Sequence, residues 1–98
     1  MTQEAIKIKL GKFGDMFLTD FFKGETINVN GVDASRSLVN LIITNRDLKL
    51  WRIGMKPTSS WKVSAVKQYY GFKGNKEKLV TQSEELIDLV KKFIETLE

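Results

Sequence analysis

The stretch VSAVKQYYGFKGNKEKLV, residues 63–80, contains the end of one helix and the start of another. Gly71 follows the run WKVSAVKQYY, and glycine commonly ends a helix because it adopts the left-handed backbone conformation without a steric cost. Ser59 or Ser60 is a suitable N-terminal cap for this first helix, and Asn75 is a suitable cap for the second. The stretch therefore predicts two helices joined by the short loop FKGN.

The second of these helices carries a wide apolar stripe. Thr81 and Glu84 fit a capping box, so the helix either continues or breaks and restarts near residue 81. A stripe of this width is typical of a helix that packs on a core. Its apolar residues are spaced three, four and seven apart, at positions 79, 80, 86, 87, 90, 93, 94 and 97.

Two interpretations of the stripe remain open. It packs on the sheet of its own domain, or part of it forms a homodimer seam or a contact for a partner protein. The second interpretation makes the chain a small adaptor or inhibitor protein. Its candidate partner-binding residues are Leu86, Val90, Phe93 and Leu97.

The first third of the chain alternates apolar and polar residues. AIKIKL, residues 5–10, places its three apolar residues on one face of a strand and its lysines on the other. ETINVNG alternates again and ends in the turn dipeptide Asn30-Gly31. Between them, DMFLTDFF is either a short helix capped by Asp15 or a second strand.

Residues 33–55 fit two structures. Asp33 or Ser35 is a suitable cap for a helix over residues 34–51. The runs LVNLIIT and LKLWRIGM also fit the two strands of a hairpin, because residues with branched β-carbons favour strands. We favour the helix, since cap residues precede it and a helical second half packs naturally on a small sheet.

These elements predict an α+β fold in a single domain over residues 1–98. Residues 1–32 are β-rich, residues 33–98 are mainly helical, and an internal connection lies near residues 54–60, where the chain has its one proline, Pro57. We expect a small N-terminal antiparallel sheet of two to three strands to pack against the C-terminal helices.

The composition excludes several classes of function. The chain has no cysteine and no histidine, which excludes disulfides, zinc sites of the usual type and histidine-based catalysis. We therefore expect a protein that is not an enzyme and uses no metal and no cofactor. No apolar run approaches the roughly 18–20 residues of a membrane span. MTQEAIKIKL does not fit a signal peptide, so we expect a cytoplasmic or nuclear protein that does not enter a membrane.

Positive charge is concentrated in the middle of the chain. Residues 46–79 carry nine basic side chains against Asp47 and Glu77, whereas residues 80–98 carry more acidic than basic side chains. Such a segment attracts a polyanion over a long range, although lysines also serve as solvated spacers. The pattern predicts sequence-independent binding of nucleic acid, DNA or RNA, through phosphate contacts in residues 46–78. The candidate contact residues are Lys56, Lys62, Lys67, Tyr69, Lys73, Gly74, Asn75, Lys76 and Lys78.

The run FKGNKEK within the stretch has three features that favour phosphate binding. The first amides of the helix that begins near Asn75 have no intrahelical partner and point outward. Gly74 permits a close approach of the backbone, and Lys73, Lys76 and Lys78 supply positive charge. The Gly-Lys-Ser/Thr ending of a P-loop is absent, so nucleotide binding is not expected.

Aromatic residues are interleaved with these lysines, and aromatic rings on a basic surface stack on unpaired bases. Trp61 and Phe72 occupy positions that usually pack into a core. Tyr69 and Tyr70 point about 100° apart on a helix. We therefore expect one tyrosine to be buried and the exposed one to stack on a base.

The same stretch resembles a SAP-type motif, a helix–extension–helix unit that binds DNA. The matching residues are Val63 and Val66 in the first helix, the pair Gly71-Phe72, and Gly74, Lys76 and Leu79 at the start of the second. The loop between Phe72 and Gly74 is shorter than in the family, and Thr81 and Gln82 stand where the family often has an arginine. The resemblance covers residues 63–82. It implies DNA binding, with the DNA backbone facing Lys73, Gly74, Lys76 and Lys78.

Overall fold

Five α-helices and one two-stranded antiparallel hairpin form the part of the chain that the structure describes. The structure is a computed structural model and describes residues 3–96. In chain order the elements are α1 (Gln3–Leu10), α2 (Asp15–Phe22), β1 (Thr26–Val29), β2 (Val32–Ser35), α3 (Arg36–Arg52), α4 (Val63–Tyr70) and α5 (Lys76–Thr96). The predicted combination of helices with a small antiparallel sheet is confirmed. Its position is not, because the hairpin lies in the middle of the chain, after two helices.

The segment AIKIKL is the main error of the sequence prediction, because it belongs to α1 and not to a strand. Ile6 and Leu10 are buried, whereas Ile8 between them is 74% exposed. Residues four apart share one face of a helix, while a strand would have buried all three. α1 packs its buried pair against α5, so the apolar surface of α5 selects the helix.

The segment DMFLTDFF forms a helix, α2, which decides between the two structures expected for it. Phe17 and Phe21, four residues apart, are buried on its inner face. Gly14 occupies the cap position, and Asp15 lies in the first turn. The expected cap at Asp15 was therefore wrong, although an acidic residue still stabilises the first turn by its interaction with the helix dipole.

The hairpin forms at the predicted turn dipeptide. Asn30 and Gly31 both have positive φ angles, 52° and 83°, and they connect the paired residues Val29 and Val32. Two residues of this conformation match the right-handed twist of the strands they join. The side-chain oxygen of Asn28 accepts a hydrogen bond from the Gly31 amide at 3.1 Å, which holds the turn.

The predicted helix over residues 34–51 is confirmed as α3, with bounds that differ by one or two residues. The Ser35 hydroxyl accepts a hydrogen bond from the Leu38 amide at 3.3 Å, so Ser35 is the cap. Asp33, the other candidate cap, lies in strand β2. The hairpin interpretation of these residues was wrong.

The two helices of the stretch VSAVKQYYGFKGNKEKLV are confirmed. α4 ends at Gly71, which has a φ angle of 72°, and the Asn75 side chain caps α5 by accepting a hydrogen bond from the Lys78 amide at 3.0 Å. The cap expected at Ser59 or Ser60 was wrong, because α4 begins only at Val63 and has Lys62 in the cap position. α5 runs without a break through residue 81.

All five helices contribute to one hydrophobic core. Leu86 and Val90 of α5 are completely buried and Phe93 is 5% exposed, while Leu97 lies outside the described residues. The stripe of α5 packs on α1 and α3, and not on a sheet as expected. Leu86 and Val90 are therefore core residues without a surface to offer a partner. Phe93 reaches the edge of a cleft of about 420 Å³ between α1, the end of α2 and α5.

Two glycines let the turn before α2 cross the end of α4 in direct backbone contact. The Gly14 amide donates a hydrogen bond of 2.8 Å to the Tyr70 carbonyl. A Cβ atom on Gly71 would lie 2.7 Å from the Gly14 nitrogen, which is too close for any real side chain. This crossing fixes the position of α4, and with it the start of α5, relative to the N-terminal helices.

Candidate nucleic-acid interface

Ion pairing divides the nine basic residues of the central segment into two groups. The three on α3 each lie close to a carboxylate: Arg46 near Asp47, Lys49 near Glu84 and Arg52 near Glu77. Within residues 3–96, the other six have no carboxylate oxygen within the 4.0 Å that defines an ion pair. These six are Lys56, Lys62, Lys67, Lys73, Lys76 and Lys78, the same lysines that the charge pattern selects.

Five of the predicted contact residues form what we call the lysine corner, the turn into α5 together with its first helical turn. All five residues are exposed. The residues of the lysine corner are Lys73, Gly74, Asn75, Lys76 and Lys78. The amides of Lys78 and Leu79 are occupied by the side chain and the carbonyl of Asn75. The two amides that precede them at the helix start are left for an acceptor from outside the helix.

A glutamine that sequence analysis missed holds the lysine corner in place. The side-chain amide of Gln82 donates hydrogen bonds to the carbonyls of Lys73 and Lys78, at 2.6 and 2.8 Å. Its side-chain oxygen accepts the Lys73 amide at 3.1 Å. In the sequence, Gln82 stands out only as a departure from the SAP-type pattern. Nothing local indicates that it binds back to a loop nine residues earlier.

Replacing Gln82 with leucine removes the two hydrogen bonds that hold Lys73 and the one to the Lys78 carbonyl. We expect the free energy of unfolding to fall by about 1 kcal/mol, because exposed hydrogen bonds each contribute modestly. The amide of Lys73 is expected to exchange with solvent distinctly faster, whereas the Phe72 ring stays buried in the core. Hydrogen exchange followed by NMR measures this. Unchanged exchange at Lys73 would show that Gln82 does not hold the corner.

The lysines of the corner lie on two sides of α5. Lys76 and Lys78 are two residues apart and thus point about 200° apart around the helix. The Lys76 ammonium lies 5.2 Å from the centre of the Trp51 ring. Lys78 and Lys73 line a shallow groove on another face of α5, beside Gln82. The positive charges therefore flank the helix start.

The Lys78 side chain packs over Gly74. A Cβ atom at this position would lie 2.7 Å from the Lys78 side chain, whose methylene groups cross over the glycine. The absence of a side chain on Gly74 thus makes room for the stem of Lys78. The surface that a phosphate would meet here is the Lys78 side chain and not bare backbone.

The Tyr69 side chain packs on α2 in the structure. It is half-buried, its ring packs edge-on against Phe17, and its hydroxyl donates a hydrogen bond to Asp20. Burial and this hydrogen bond raise the pKa of Tyr69 above its ordinary value. Asp15 and Asp20 line the pocket beside the ring. Because two carboxylates repel a polyanion, we leave Tyr69 out of the candidate interface.

Three other predicted contact residues lie away from the start of α5 in the chain. Lys67 is half-buried on α4, about 200° around the helix from Tyr69. Lys56 and Lys62 are exposed in the connection between α3 and α4, and the Lys56 ammonium donates a hydrogen bond of 3.5 Å to the Ser59 carbonyl. Lys62 directly follows Trp61, whose ring lies 6.0 Å from that of Trp51. The Trp51 ring thus lies near both the Trp61 ring and the Lys76 ammonium.

The described part of the chain has neither a cluster of metal ligands nor a helix that could span a membrane. Between residues 3 and 96, no three acidic, histidine or cysteine side chains come together as metal ligands would. None of the helices in this range offers a stretch long and apolar enough to cross a membrane.

Comparison with known proteins identifies no relative of this chain. No protein-family model, curated protein or solved structure matches the chain. The resemblance to the SAP-type motif over residues 63–82 stays a prediction.

Proposed function

We propose that this protein binds nucleic acid through phosphate contacts made by the lysine corner and by Lys56 and Lys62. The observation that carries the proposal is a set of five exposed lysines between residues 56 and 78, none of which has a carboxylate partner within residues 3–96. Paired charges largely cancel in the field that a distant polyanion meets, whereas these lysines contribute their full charge. Lysine side chains contact phosphate as point charges, which positions a protein on nucleic acid without reading its sequence.

Binding of this kind depends steeply on salt. Each neutralised phosphate contributes about 0.7–0.9 to the slope of log affinity against log salt concentration. A domain of this size has room for on the order of three to five such contacts. We expect affinity to fall over the range from about 50 to about 200 mM salt and to vary little with base sequence.

Replacing Lys73, Lys76 and Lys78 together with glutamine tests the role of the lysine corner. We expect the salt slope to flatten by up to about three units, one for each lost phosphate contact. The free energy of unfolding is expected to stay within about 1 kcal/mol, because all three side chains are exposed. Titrations at several salt concentrations, with single-stranded and duplex DNA and RNA, measure the slope.

The matched control replaces Lys9, Lys12 and Lys91 with glutamine. These lysines are exposed and have no carboxylate partner among the described residues. Their replacement removes the same total charge as the first triple variant. Lys7 is not used because its ammonium lies over the Phe93 ring. Equal weakening by both triple variants would mean that only net charge matters. No binding at about 50 mM salt would rule out the proposed function.

A further inference from the structure

Two tryptophans form a pair beside the lysine corner. Trp51 lies on the last turn of α3 and Trp61 lies just before α4. Their ring centres are 6.0 Å apart with an angle of 48° between the ring planes. Both side chains are half-buried: they pack on the core and keep part of their surface in solvent.

The end of α3 holds this pair in a defined position. The Gly54 amide donates a hydrogen bond to the Trp51 carbonyl at 3.0 Å, and the Met55 amide donates one to the Leu50 carbonyl at 2.9 Å. With Gly54 at a φ angle of 88°, these two bonds form a Schellman motif, which ends the helix directly after the Trp51 turn. Ile53 and Met55 are both more than half exposed in the same turn. The turn that directly follows Trp51 therefore presents apolar surface to solvent.

Positive charge lies against one ring of the pair and follows the other in the chain. The Lys76 ammonium lies 5.2 Å from the centre of the Trp51 ring, and Lys62 directly follows Trp61 in the chain. Neither lysine has a carboxylate partner among residues 3–96. An unpaired lysine ammonium and the aromatic surface of the pair thus lie at one place, and proteins that bind single strands combine positive charge and aromatic rings in this way.

We propose that the Trp51–Trp61 pair stacks on unpaired bases and that the preferred ligand is a single-stranded nucleic acid. This inference rests on the proposed function. A duplex offers its phosphates to the lysines but keeps its bases stacked inside. A single strand exposes base faces, and any base can stack, so this contact adds affinity without sequence preference. Trp61 supplies the open ring surface, because Lys76 already covers part of Trp51.

The two tryptophans are the only ones in the sequence, so tryptophan fluorescence reports on this pair alone. We expect an unstructured oligothymidine of about 12 nucleotides to quench the emission as it binds. A duplex of the same length and an inorganic polyphosphate chain are expected to bind with little quenching. Fluorescence anisotropy of labelled DNA gives the affinities at the same salt concentration, and the single strand is expected to bind about tenfold more tightly than the duplex.

Variants at Trp61 separate stacking from charge. Trp61→Leu is expected to weaken single-strand binding about tenfold, with duplex binding and the salt slope unchanged. Trp61→Phe keeps an aromatic face and is expected to restore most of the lost affinity. Thermal unfolding of each variant confirms that the fold is intact. If Trp61→Leu does not fold, the wild-type comparison of quenching decides the question.

Three results would overturn the inference. Equal affinity for single strand and duplex without quenching would remove the stacking role and leave the phosphate contacts standing. Equal quenching by polyphosphate would assign the signal to charge near Lys76. No binding of any nucleic acid would remove the proposed function and this inference together.

Discussion

Replacing Leu86 with lysine is expected to lower the free energy of unfolding by about 3–5 kcal/mol, which unfolds most or all of the protein. Leu86 has no exposed surface and lies in the core that α5 shares with α1 and α3. A lysine at this position loses the apolar contacts of the leucine and places a charge in the hydrophobic core. Circular dichroism during thermal unfolding, with sedimentation of the same sample, measures both stability and size.

Thr81→Lys is the matched control for this variant. It adds the same charge to α5 at an exposed position, so we expect its stability to stay within about 1 kcal/mol of the wild type. If Leu86→Lys keeps its melting temperature and only changes its sedimentation, the residue lies at an interface between molecules. If neither property changes, Leu86 lies in neither a core nor an interface.

Replacing Gly71 with alanine is expected to cost about 2–5 kcal/mol, which is a large share of the stability of a domain this small. Two effects combine in this estimate. A φ angle of 72° is unfavourable for any residue with a side chain. The added Cβ would also meet the backbone of Gly14 at 2.7 Å, where neither chain segment has a flexible side chain that could move aside.

Gly24→Ala separates these two effects. Gly24 has the same φ angle of 72°, but no atom lies within 4 Å of the position that its Cβ would occupy. We expect this control to cost only the conformational part, about 1–2 kcal/mol. Chemical unfolding of both variants gives the difference, which measures the contact between Gly14 and Gly71. Equal losses would mean that the two segments do not touch in solution.

Several local signals in the sequence were sufficient to predict structure. Ser35 caps α3, Asn75 caps α5, and Gly71 ends α4 at the expected positions. The dipeptide Asn30-Gly31 forms the hairpin turn. In each case the hydrogen bonds or backbone angles that decide the structure involve residues within a few positions of each other.

The error at AIKIKL shows where local signals end. Ile6 and Leu10 are four residues apart, so they share a face both in a helix and in a strand. Only the exposure of Ile8 distinguishes the two, and that exposure follows from the packing of α1 on α5. Since α5 lies some 70 residues later in the chain, no pattern within α1 reveals this contact.

The candidate interface divides in the same way. The six lysines among the predicted contact residues were chosen from their positions in the sequence. Five of them are exposed in the structure, as is usual for lysine. Two of the three ion pairs of α3 depend on distant residues, because Glu77 and Glu84 of α5 pair with Arg52 and Lys49. Tyr69 binds Asp20, 49 residues earlier. Without the tertiary structure, paired and unpaired charges look alike, and Tyr69 looks like a stacking residue.

Local sequence is sufficient to predict the helix ends at Gly71, Asn75 and Ser35, the hairpin turn, and the concentration of positive charge between residues 46 and 79. These features depend on backbone preferences and composition over short distances. Packing between distant segments makes α1 a helix, buries Leu86 and lets Gln82 hold the turn before α5. It also brings Trp51 and Trp61 together beside Lys76. Such contacts join residues that are far apart in the chain. They stabilise the structure only once the chain has folded, so no short stretch of sequence reveals them.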